Sequence, residues 1–80
     1  MNIKELLKNK QMTQAGISYE LYKQFKIYRT QAIISRWLSG KTSPDIEIVF
    51  YLSKILNVSC DDLILSILET KNATTNLRPN

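Results

Sequence analysis

Apolar residues recur along the chain in five short groups at helical spacing, and each group follows a side chain able to cap a helix. Asn2 precedes Ile3, Leu6 and Leu7, with Glu5 three residues on in the capping-box position, and the first helix should end near Asn9-Lys10-Gln11. Thr13 precedes Ile17, Leu21, Phe25 and Ile27, within which Gly16 weakens a helix by roughly 1 kcal/mol relative to alanine. Thr30 precedes Ile33, Ile34, Trp37 and Leu38, and Gly40 is placed to stop that helix in a left-handed conformation. Asp45 follows Pro44 and precedes Ile46, Val49, Phe50, Leu52, Ser53 and Leu56, a broad apolar face that predicts the central core helix, with Asn57 as its left-handed end. Ser59 precedes Leu63, Ile64, Leu65, Ile67 and Leu68, with Asp61 and Asp62 in the first turn where the helix dipole favours acids. From Thr70 onward little can be buried, so residues 70–80 read as a disordered tail behind a domain of residues 1–69. No strand-like alternation is visible. The expectation is an all-α, compact five-helix bundle.

Eighty residues suffice for one domain, with a core small enough that dimerisation commonly assists it. The run from Ile46 to Leu52 is too short to span a bilayer, and the Met1–Glu5 start lacks the layout of a secretory signal. The single Cys60 has no internal disulfide partner, which fits a cytoplasmic setting. Catalysis finds no support. There is no histidine and no glycine-rich phosphate loop; Asp61 and Asp62 are neighbours that point roughly 100° apart on a helix, and capping accounts for them. Neither a metal nor a cofactor is expected.

Charge changes the picture more. Residues 1–44 carry eight Lys and Arg against two Glu, a net +6, whereas residues 45–80 carry three against five acids, a net −2. This asymmetry fits a basic face for a polyanion, or a solvated lysine-rich surface.

The informative stretch is Thr30-Gln-Ala-Ile-Ile-Ser-Arg-Trp-Leu-Ser-Gly-Lys-Thr-Ser-Pro44 with its continuation through Asn57-Val58-Ser59 to Asp61-Asp62-Leu63. It resembles the recognition helix, following loop and next helices of the Cro and phage-repressor (XRE-type) helix-turn-helix family. The resemblance covers roughly residues 2–68 and is specific over 30–64. It implies a lambda-repressor-like fold. The separation from Gln14 to Trp37 is longer than usual in the family, and the usual turn glycine is missing. Residues 18–29 therefore read as a lengthened second helix plus turn.

A helix can enter the major groove if one face is buried and the other carries short polar side chains near its N-terminus. Ile33, Ile34 and Trp37 are the expected anchors here; Thr30, Gln31, Ala32, Ser35 and Arg36 lie opposite as candidate base contacts. Gln31 can pair with adenine, Arg36 with guanine or with a phosphate, and Thr30 and Ala32 offer methyls to thymine, Thr30 being a helix cap first. Phosphate contacts position without reading sequence. The family resemblance assigns that role to Gln14, Ser39, Lys41 and Thr42; Arg29, Lys8 and Lys10 join on charge alone. Lys23 and Lys26 either extend these contacts or face solvent, and Tyr19, Tyr22 and Tyr28 either pack or stack on bases.

The resulting expectation is a transcriptional repressor of phage or mobile-element type, binding operator DNA as a homodimer, either as a short Cro-like repressor or as the N-terminal part of a longer regulator. Helix 60–68 carries more apolar residues than one buried stripe needs and is the candidate dimer surface. A protein-binding module, such as an antitoxin or regulator antagonist, is the alternative from another class.

Overall fold

The computed structural model describes the backbone of residues 1–75 and the side chains of residues 1–72. Five helices form: α1 (Ile3–Asn9), α2 (Gln14–Phe25), α3 (Gln31–Ser39), α4 (Ile46–Leu56) and α5 (Cys60–Thr75). There is no strand among the described residues. α5 packs on α1, α3 and α4, while α2 packs on α3 and α4.

The start of every helix is fixed by local chemistry. Asn2 and Glu5 form the reciprocal capping box, each bond 2.9 Å. Thr13 accepts from the Gly16 amide, Thr30 from Ile33, Asp45 from Ile48 and Ser59 from Asp62, all at 3.0–3.2 Å. A Cβ at Gly16 would stand 2.9 Å from Met12 Sδ and 3.2 Å from the capping Thr13 hydroxyl, so a larger residue there would displace the flexible Met12 side chain. Two helices end as expected, with Gly40 and Asn57 in the left-handed region at φ 82° and 57°. The end of α2 has no glycine to mark it. Lys26 takes the left-handed position instead, with φ 60° and ψ 32°, and turns the chain toward α3.

The core is built from Ile3, Leu6 and Leu7 of α1, Ile17 and Leu21 of α2, Ile34, Trp37 and Leu38 of α3, Ile48, Val49, Leu52 and Leu56 of α4, and Leu63 and Ile67 of α5. Phe25 stacks on Tyr51 at 4.3 Å between ring centres, closing the α2–α4 edge.

Three expected core positions are corrected. Ile33 is 40% exposed because it lies on the flank of the buried 34, 37, 38 stripe, about 100° round the helix from Ile34. Ile46 is 85% exposed at the first position of α4, and Phe50 is half exposed with Lys54 over its ring; the helix instead buries Ile48, which was not among the expected core residues. α4 is apolar on several sides, and only packing selects which stripe turns inward.

The expected tail boundary at residue 70 is also corrected for residues 70–75, which continue α5. Buried Thr70 explains why. Its hydroxyl accepts from the Ile3 amide at 2.9 Å and donates to the Ser66 carbonyl at 2.8 Å, so it satisfies a first-turn amide of α1. Beside it, the Met1 amino group pairs with Glu69, and this bond holds the amine's pKa above its usual value. The rest of the expected tail, residues 76–80, lies outside the described residues.

Candidate nucleic-acid interface

α3 presents a polar outer face because its other face is spent on the core. Ile34 and Trp37 are buried at 1% and 6% exposure, whereas Gln31, Ala32, Ser35 and Arg36 are exposed on the opposite side. Thr30 sits at the N-cap, its hydroxyl oxygen engaged by the Ile33 amide at 3.2 Å. All five candidate base contacts thus fall on one helix or its cap. Ile33 adds an exposed apolar side chain next to this face. Its spacing from Ile34 and Trp37 is what suggested burial, and only its place on the flank of that stripe could have warned against it.

The loop after α3 is tied to the helix end. The Arg36 carbonyl accepts from the Lys41 amide at 3.0 Å, the Thr42 amide at 3.3 Å and the Ser39 hydroxyl at 3.2 Å. Ser39, Lys41 and Thr42 are consequently held together at the C-terminal end of α3, all exposed.

Gln14, the first residue of α2, is brought to the other end of α3. Its side-chain amide donates to the Gln31 carbonyl at 3.4 Å, so α2 keeps its N-terminus beside the start of the recognition candidate. The first-turn amides of α2 there have no intrahelical acceptors. A second tie lies deeper: the Ser18 hydroxyl donates to the Arg29 carbonyl at 2.8 Å. Sequence reasoning did not find either bond, since both join residues far apart in the chain. Arg29 itself is half-buried, and its guanidinium folds back on the Tyr28 carbonyl at 3.0 Å. It is therefore less free to reach outward than Lys41. Lys8 and Lys10 are exposed on and just after α1.

Tyr19, Tyr22 and Tyr28 are all exposed rather than packed in the core, at 59%, 55% and 68%. Lys23 lies over the Tyr19 ring and Lys26 over Tyr22, each 5.5 Å from the centroid. Such exposed contacts contribute about 0.5–1 kcal/mol and hold the two ammonium groups near the rings.

No group of metal-ligating side chains able to hold an ion occurs among the described residues, and no described helix is long and apolar enough to cross a membrane. Cys60 is half-buried, with its thiol 3.4 Å from the Ser53 hydroxyl.

Residues 26–63 match the family model described as Helix-turn-helix. The matched segment runs from the left-handed turn at Lys26 through α3 and α4 into the start of α5. No curated protein and no solved structure gives a significant match.

Proposed function

We propose, from the membership of residues 26–63 in the Cro/C1-type helix-turn-helix family of DNA-binding transcription regulators, that this chain is a sequence-specific repressor that lays α3 in the major groove. The observation that carries the reading is the division of α3 into a buried face and an exposed polar face. Gln31 and Arg36 are assigned to base edges, with Thr30, Ala32 and Ser35 beside them; a good bidentate pair is worth about 1–3 kcal/mol of discrimination. Gln14, Arg29, Ser39, Lys41 and Thr42 are assigned to phosphates at the two ends of the helix.

The operator is two-fold symmetric, with half-sites roughly 34–36 Å apart, and is bound by a homodimer. Support comes from α5, where Ile64, Leu65 and Leu68 are 41%, 63% and 47% exposed on one side of a helix whose other side is core. The same exposed side also supports the second reading, a module that binds another protein through α5. Salt separates the two: DNA binding through about five phosphates gives a slope of log K on log salt near −4 to −5. Apolar docking gives little dependence.

The test is selection of bound sites from random duplex DNA, with Gln31→Ala and Arg36→Ala in parallel. A symmetric motif that loses preference at different positions in each variant is expected. Failure to select any motif, or variants that select like the parent, would overturn groove reading by α3.

A further inference from the structure

We propose that the C-terminal part of α2 and the turn after it form a second phosphate-binding surface, which lies on the DNA backbone flanking the groove. The inference rests on the reading of α3 as a groove-binding helix, and it assigns a role to the segment by which this chain exceeds the usual length.

In this architecture the first helix of the pair crosses the DNA backbone while the second enters the groove. A first helix of 12 residues therefore carries its exposed side along the backbone for about three turns. What it carries here is suited to phosphate. Lys23 and Lys26 are exposed and, among the described residues, neither is paired with a carboxylate. The nearby Glu20 is engaged by the Gln24 side chain at 2.8 Å. Tyr19, Tyr22 and Tyr28 line a shallow open depression with Ser18, and phenol hydroxyls are phosphate donors. The rings also bed the two ammonium groups, which reach the surface already oriented.

Continuity with the α3 face favours DNA over an acidic protein. The Ser18–Arg29 bond anchors the patch to the residue just before the Thr30 cap, and Gln14–Gln31 anchors the other end of α2 to α3 itself. Patch and groove helix are therefore held as one body able to engage a single duplex together.

The experiment measures affinity of the full chain for its selected site across a salt series, for the parent and for Lys23→Ala/Lys26→Ala. Ethylation interference on the same site maps phosphate contacts. Losing two phosphates per half-site lowers the magnitude of the slope by about 1.8 for each bound protomer, a loss of roughly 60-fold per protomer at 0.1 M salt relative to 1 M. The selected motif should stay the same, and two interfering phosphates per half-site should disappear. Matching circular dichroism and a cooperative melt, lowered only by the loss of the two ring contacts, exclude misfolding of the variant. An unchanged slope, with all interfering phosphates retained, overturns the proposal and turns the patch toward an acidic protein. A changed motif overturns it as well, since the lysines would then act through α3. If the parent selects no duplex at all, the underlying reading has failed, a result distinct from either.

Discussion

Lys26→Gly offers a perturbation whose effects on stability and on binding should have opposite signs. Lys26 occupies the left-handed region, φ 60° and ψ 32°, where a side chain bearing a Cβ carries a penalty of roughly 1–2 kcal/mol that glycine escapes. Two losses work against this gain. The contact of the ammonium group with the Tyr22 ring, at 5.5 Å, contributes about 0.5 kcal/mol at an exposed site. Glycine also gives up more backbone entropy on folding, about 0.5 kcal/mol here. The net expectation is a gain of up to about 1 kcal/mol, a rise in melting temperature of as much as ~4–8 °C for a domain of this size. DNA affinity should move the other way: one phosphate contact fewer lowers the magnitude of the salt slope by about 0.9 for each bound protomer, roughly 8-fold per protomer at 0.1 M salt relative to 1 M. Thermal unfolding and a salt-dependent binding titration read the two quantities on the same sample. Lys26→Asn separates the causes, because asparagine tolerates the conformation while lacking the charge. A variant that melts below the parent would refute the account of a strained turn. Stabilisation with unchanged affinity would keep the strained turn and remove Lys26 from the DNA surface.

Thr70→Val keeps the shape of the side chain but deprives the buried Ile3 amide of its acceptor. Chemical denaturation should show a loss of about 1–3 kcal/mol, and Thr70→Ser should recover most of it. For the dimer, Leu65→Glu/Leu68→Glu places charge on the exposed side of α5, and sedimentation should shift toward the monomer with little change in melting. A parent that is already monomeric at about 100 μM would argue against self-association through α5, a concentration well above the micromolar scale of a specific complex.

The helix starts were legible because a cap is a local transaction: Asn2, Thr13, Thr30, Asp45 and Ser59 each bond an amide three residues on. The left-handed ends at Gly40 and Asn57 were legible for the same reason, since their residue types favour that conformation. Lys26 does not announce itself, because its conformation is imposed by the need to bring α3 against α2. Faces were less legible than elements. In α4, Ile46, Ile48 and Phe50 are all apolar, and burial of Ile48 over its neighbours is decided by α2 and α5. On the α3 surface, residue types and spacing were enough to gather Gln31, Ala32, Ser35 and Arg36 on one side. The bonds that orient this surface, Gln14 to Gln31 and Ser18 to Arg29, span chain separations over which no periodicity carries information.

The bond between Ile3 and Thr70 joins residues 67 positions apart, nearly the full span of the described chain. Loop-closure entropy must be overcome before such a contact contributes. α2, α3 and α4 can assemble from contacts between near neighbours, whereas α1, which also touches α3, completes its seat only when the far end of α5 arrives. During synthesis, then, α1 emerges before the other four helices yet completes its docking among the last of them. Until α5 is made, part of the apolar face of Ile3, Leu6 and Leu7 stays uncovered, a window in which a chaperone has the most to protect.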